Sequence, residues 1–268
     1  MGVPDLDRME IEEAGDRPEQ LVAELHRQLG EIKPPIPVHR IARALGIVNI
    51  HTEPLSSFEG CLVTNPARSD GDILVNKRSS WPRQRFTVGH ELGHYLCTWH
   101  VSQDPLGFRC TQSDMVRTAK ANGEADQEVQ ANRFAIELLA PPRILHRYRN
   151  LSPDLDHVLG NPTQLDISRE AAARRYAELH PRPIAMVFAR NGDCRWVCRP
   201  DAFPWIPFDK GHSLPELPGP STGRSTSELV EADKRDWLQA TPAGELGLQV
   251  LWQRDGYQIV MLTFDQDQ

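Results

Sequence analysis

Residues 90–94 read His-Glu-Leu-Gly-His. On a helix, His90 and His94 lie one turn apart and face the same way. Two imidazoles so placed can reach one divalent metal ion. Glu91 then stands beside the metal, where a carboxylate can take a proton from bound water. The chemistry that such a trio supports is hydrolysis. The flanking residues favour the helix: Ser80 can cap it, Pro82 suits its first turn, and Phe86, His90, His94 and Cys97 recur on one face.

Catalytic zinc sites usually take three ligands from the protein, so a third must come from outside this helix. His100 is nearest in sequence. The run from His90 to His100 has the spacing of a three-histidine site, but Cys97 stands where glycine is needed for a sharp turn after the second histidine. His100 is therefore expected just past the helix end, and Ser113-Asp-Met115 only faintly resembles the methionine turn of such sites. Glu128 is the other candidate. The pattern predicts a helix over about 124–139, anchored by Val129, Phe134, Ile136, Leu138 and Leu139 and stopped by Pro141-Pro142. Glu128 could complete a glutamate-containing metal set, while Asn132, one turn on, held the free ring nitrogen of a ligand histidine. Glu124 and Asp126 are not separated from Glu128 by spacing alone. Tyr95, His100, Tyr148 and His157 are candidates for stabilising an oxyanion.

The rest of the chain must position these groups. It has 268 residues, 39% hydrophobic and 25% charged, enough for one large domain or two small ones. A net charge of −7 argues against a dedicated nucleic-acid binder. The arginine groups 78/83/85, 143/147/149 and 169/174/175 are expected as solvated helix faces. No apolar run approaches the ~20 residues of a membrane span, and the acidic N-terminal segment has no signal-like apolar core. Five scattered cysteines, Cys61, Cys97, Cys110, Cys194 and Cys198, fit a reducing compartment, so a cytoplasmic location is expected.

Residues 1–18 are expected as a loose tail. A helix is predicted at 19–30 and another at Val38–Leu45, followed by short strands at Ile47–His51, Cys61–Thr64 and Asp72–Asn76 and a metal-motif helix at 81–98. The polar stretch Ser102–Gly123 would loop beside the site and, with the C-terminal module, could gate it. Residues 143–180 are helical in pattern, with Ser168 as a cap. Beyond 181, alternating segments flank Asn191-Gly192 and Asp255-Gly256, two hairpin signals, with a Pro/Gly/Ser-rich stretch at 204–226 between them.

Several motifs in order resemble the ImmA/IrrE family of bacterial and phage-encoded metallopeptidases. They are Pro34-Pro-Ile-Pro-Val, Ile41-Ala-Arg-Ala-Leu-Gly-Ile, Ile73-Leu-Val-Asn76, the run from Arg83 to Leu96, and the run from Glu128 to Pro141. The resemblance spans about residues 20–180. It implies a zincin-like metallopeptidase core at 19–145 and a helical helix-turn-helix-like extension at 146–180; with the small β-rich C-terminal module that the hairpin signals predict at 181–268, the expected fold is α+β. It implies His90, His94 and Glu128 as zinc ligands and Glu91 as the catalytic carboxylate. Gln130 and Ala140 stand where the family commonly has Glu and Met. The implied activity is zinc-dependent endopeptidase cleavage of a protein substrate, a helix-turn-helix transcriptional repressor, in a stress or mobile-element response. Imidazole and carboxylate ligands also suit Mn²⁺ or Fe²⁺. The rival reading is a metal-containing module that binds DNA or a repressor without cleaving it. DNA binding is the less favoured partner, and no membrane partner is expected.

Overall fold

The first helices put their apolar positions at helical spacing: Leu21, Val22, Leu25 and Leu29 in one, Val38, Ile41 and Ala42 in the other, all buried. They belong to the first of two units in this computed structural model, which describes residues 3–102, 107–111, 124–148 and 150–265. The first unit is Met1–Pro141 with Gln164–Ile167, and the second is Pro142–Thr163 with Ser168–Gln268.

The first unit runs α1 (Arg8–Glu12), α2 (Pro18–Leu29), α3 (Val38–Ala44), β1 (Ile47–Glu53), β2 (Gly60–Thr64), β3 (Gly71–Asn76), α4 (Trp81–Leu96), β4 (Phe108–Cys110) and α5 (Glu124–Leu139). The four strands form one sheet in the order β1-β3-β2-β4, parallel between β1 and β3 and antiparallel elsewhere. The loose tail expected over residues 1–18 differs from the structure. Leu6 and Ile11 are buried, Asp7 caps α1, and Arg8 donates to the Tyr95 hydroxyl of α4 at 2.6 Å.

Helices α4 and α5 approach closely because small residues meet at i, i+4 spacing on both. A Cβ on Gly93 would stand 3.0 Å from Phe134 Cβ and 3.2 Å from Ala131 Cα; one on Gly89 would stand 3.3 Å from Ala135 Cβ. The N-terminal end of α4 is tied by Arg85. It is buried, not a solvated face residue as expected, and donates to the carbonyls of Ile36 (2.8 Å), Asp166 (3.2 Å) and Leu165 (3.4 Å). Ser80 occupies the N-cap with extended backbone, but its side chain makes no capping bond.

The second unit contains α6 (Pro142–Leu145), a 3₁₀ turn (His146–Tyr148), α7 (Leu155–Leu165, its end counted with the first unit), α8 (Arg169–Leu179), β5 (Ile184–Arg190), β6 (Asp193–Cys198), β7 (Val230–Glu231), α9 (Lys234–Trp237), β8 (Glu245–Trp252) and β9 (Tyr257–Asp265). Its antiparallel sheet runs β6-β5-β9-β8-β7. Both hairpin turns form with positive φ, at Asn191-Gly192 (54°, 85°) and Asp255-Gly256 (56°, 75°), as primed turns demand. Strand β5 does not alternate: all residues but Arg190 are buried. Ala185 and Val187 pack with Phe203, Ile206, Phe208 and Trp237, while α8 packs against the same strand. The Ser168 hydroxyl caps α8 by accepting from Ala171 N at 3.1 Å. Arg175 is buried and paired with Glu178 at 2.8 Å, again not the expected solvated face.

The protein is thus an α+β chain: a mixed helical and short-stranded N-terminal region and a distinct antiparallel C-terminal module. Among the described residues, no helix is long and apolar enough to cross a membrane.

Candidate metal centre

The one-turn spacing of His90 and His94 brings both rings to the buried face of α4, with Nε2 atoms 3.1 Å apart. From α5, Glu128 reaches both, Oε2 to His90 Nε2 at 3.1 Å and Oε1 to His94 Nε2 at 3.3 Å. The close approach at Gly89 and Gly93 makes this reach short enough for a glutamate. A fourth group comes from β4. Cys110 Sγ stands 3.2 Å from His90 Nε2, 3.7 Å from His94 Nε2 and 3.9 Å from Glu128 Oε1. These four residues form a cluster that could hold a metal ion.

Hydrogen bonds around the rings decide which nitrogen is bare. His90 Nδ1 lies 2.9 Å from Asn132 Oδ1, an acceptor, so the ring proton sits on Nδ1 and Nε2 turns its lone pair inward. The second ring is set through a longer chain. Gln130 donates its Nε2 to Asp126 (2.9 Å), leaving Oε1 to accept from Trp99 Nε1 (2.7 Å) and from His100 Nε2 (3.2 Å). With its proton on Nε2, His100 offers a bare Nδ1 to His94 Nδ1 at 3.0 Å. His94 therefore also carries its proton outward and its Nε2 lone pair inward. Burial pushes the His94 imidazole down to about 4 and the His100 imidazole down to about 3, so both rings are neutral at neutral pH.

Two inward lone pairs 3.1 Å apart, beside a carboxylate and a sulfur, repel unless a cation lies between them. The donors are oxygen, nitrogen and sulfur in the mix that zinc takes, so the residues fit a divalent ion.

Glu91 is fully buried, and neither of its carboxylate oxygens has a hydrogen-bond partner. Burial first, and then the charge of Glu128, push its carboxyl well above the usual range; the nearby Cys110 thiol pulls the other way without the alignment of a hydrogen bond. Gly60 on β2 makes room for it, since a Cβ there would overlap both Thr87 Cγ2 and the Glu91 carboxylate.

Residues 43–176, half of the chain, match the model of the IrrE N-terminal-like domain. The chain belongs to that family. Every residue of the cluster falls within the matched span. A transcriptional regulator from Mycobacterium tuberculosis has a similar structure, with a TM-score of 0.51 and 11% identity over 92% of this chain and 87% of that one; this likeness is one of fold. No curated protein matches the chain in sequence.

The structure brings His90, His94, Glu91, Glu128 and Asn132 together. His100 sits past the α4 C-cap at Cys97, held by Arg68, which donates to the carbonyls of Cys97 (2.8 Å), Tyr95 (3.2 Å) and His100. Asp126 is engaged with Gln130, and the Glu124 side chain lies outside the described residues. Tyr95 turns away, its hydroxyl donating to Arg68 O at 2.9 Å, and so cannot serve an oxyanion. Tyr148 and His157 stack on each other in the second unit. Most of the Ser102–Gly123 segment, Ser113 and Met115 included, lies outside the described residues. Sequence reasoning missed Cys110, Gln130 and Arg68. The nearest signal for Cys110 was an apolar-polar-apolar triplet, Phe108-Arg-Cys110, inside a polar stretch.

Proposed function

We propose that this chain is a zinc-dependent endopeptidase in a regulatory circuit, with His90, His94 and Glu128 as zinc ligands and Glu91 as the general base. One observation carries the reading: a buried, unpartnered carboxylate beside a cluster of inward-facing metal donors. A buried carboxylate without partners costs stability and has no structural use, so its presence argues for chemistry. A bound ion would supply Lewis acidity, and its charge would draw Glu91 back into the ionised form. Glu91 then takes the proton of the attacking water and delivers it to the leaving amine. Asn132, and the chain from Asp126 through Gln130 and His100, keep the two rings turned for ligation. Mn²⁺ and Fe²⁺ also suit the imidazoles and the carboxylate.

The substrate class that the family suggests is a transcriptional repressor of the helix-turn-helix type, met in the cytoplasm. The fold likeness to a transcriptional regulator agrees with a regulatory role. In this reading the helix-turn-helix-like extension at 146–180, which contains α7 and α8, and the β-rich module at 181–268 present the partner. DNA binding is less favoured, because net charge is −7 and Arg175 is buried rather than available to phosphate. A module that only binds would have no need of Glu91. The deciding comparison is Glu91→Gln against wild type, on candidate repressors. The variant should keep its metal and lose cleavage; wild-type cleavage by Glu91→Gln would remove Glu91 from the reaction.

A further inference from the structure

We propose that Cys110 is the fourth donor of the metal centre and keeps it closed until the thiol is withdrawn. The inference rests on the metallopeptidase reading and concerns the regulation of that same site.

The geometry is that of a complete ligand set. Four donors bound to one zinc ion in a tetrahedron, at about 2.0–2.3 Å each, stand about 3.3–3.6 Å apart. The nearest approaches among His90, His94, Glu128 and Cys110 are 3.1, 3.1, 3.3, 3.2, 3.7 and 3.9 Å, Glu128 meeting His90 through Oε2 and the other two through Oε1; with one donor atom taken from each residue, all lie within 4.8 Å of one another. The four donors converge from three elements: two from α4, one from α5 and one from β4. A sulfur that was merely a small core residue would face carbon. This one faces two bare ring nitrogens and a carboxylate.

Charge balance points the same way. A divalent ion held by two neutral imidazoles and one carboxylate leaves a buried net positive charge. A thiolate in the fourth place neutralises it, and buried centres are favoured when neutral. Thiolate also narrows the choice of ion, since sulfur favours zinc over the harder Mn²⁺.

The backbone holds the sulfur in place. Strand β4 pairs with β2, with Cys110 opposite Gly60 and Phe108 opposite Leu62, and Glu59 N donates to Cys110 O at 2.9 Å. Phe108 lies on the same side of the strand and stacks on the His94 ring, centroids 4.5 Å apart. Gly60, bare of Cβ, lets this ladder settle onto Glu91. The thiol thus stands within 3.9 Å of each of the other three donors and close to the general base. Structural zinc sites are closed by four protein ligands, whereas catalytic ones keep a position open. With Cys110 bound, this site is of the closed kind; with Cys110 withdrawn, His90, His94 and Glu128 remain as an open three-ligand set.

The test loads the full-length chain with Co²⁺ and reads its absorption spectrum. Wild type should show tetrahedral d–d bands and a near-ultraviolet thiolate-to-cobalt charge-transfer band. Cys110→Ser should lose the charge-transfer band and keep cobalt, while Cys97→Ser, altering a buried thiol outside the cluster, should keep both. Cys110→Ser loaded with zinc should cleave an unfolded protein such as casein faster than wild type. Should Cys110→Ser fail to fold, zinc-edge X-ray absorption of wild type still decides, through a sulfur neighbour at about 2.3 Å. Bound cobalt or zinc without a sulfur neighbour overturns the inference and leaves the three-ligand peptidase standing. Cleavage no faster in folded Cys110→Ser overturns the closing role. Failure of wild type to bind either ion overturns the metal reading and this inference with it.

Discussion

Asn132→Leu removes the acceptor that holds His90 in its metal-ready tautomer while keeping roughly the shape of the side chain. The contact is a 2.9 Å hydrogen bond to a fully buried ring from a residue only 8% exposed, so water has little access to replace it. Leaving a buried donor unsatisfied costs about 1–3 kcal/mol. The loss of such an orienting partner typically weakens metal binding about 10–100-fold, which is about 1.4–2.7 kcal/mol. The two routes agree, and zinc affinity should fall by that factor. Competition against a chromophoric chelator measures it directly. Asn132→Asp, which retains an acceptor, should stay close to wild type and controls for general damage to α5. Zinc binding by Asn132→Leu within about twofold of wild type would refute the argument that this hydrogen bond sets the ring.

Gly93→Ala tests the helix contact that brings Glu128 to the histidines. Its Cβ would press on Phe134 Cβ and Ala131 Cα, and overpacking of about 1–3 kcal/mol exceeds the ~1 kcal/mol gained in helix propensity. Thermal melts should show a net loss of up to about 2 kcal/mol together with weaker zinc binding, and a stabilised variant with intact binding would contradict the contact. In the metal-free protein, His94 and His100 should titrate near pH 4 and pH 3 by histidine NMR, and ordinary values near 6.5 would contradict the described environment. Because the unfolded chain protonates these rings near 6.5, their share of stability is present above that pH and is lost as pH falls toward 4 and 3. Glu91, with a raised pKa, acts oppositely and costs stability as pH rises above 4.5, so metal-free Glu91→Gln should melt higher than wild type at pH 7.

The parts of the site that depend on one helix were legible in the sequence. The i, i+4 spacing of His90 and His94, and the proline stop after α5, are local and leave a period to read. What depends on two elements was not. Spacing alone could not tell Glu128 from Glu124 or Asp126, and the family resemblance had to single it out, because the choice rests on how α5 seats on Gly89 and Gly93, a packing contact between segments about 40 residues apart. Cys110 escaped because a three-residue strand shows too little alternation, and its partner strand lies about 50 residues earlier. His100 was placed correctly past the helix end, yet its hold on His94 runs through Gln130 and Arg68, which carry no sequence pattern. The packing of α1 was hidden for a similar reason: Leu6 and Ile11 are two apolar residues in an acidic run, too few for a helical period.

The most direct measurement is the zinc content of wild type beside the His90→Ala/His94→Ala double variant, after reconstitution and dialysis in metal-defined buffer. The account predicts one tightly held ion per chain in wild type and none in the double variant. A wild-type chain that emerges metal-free, or a double variant that retains as much zinc, would contradict it.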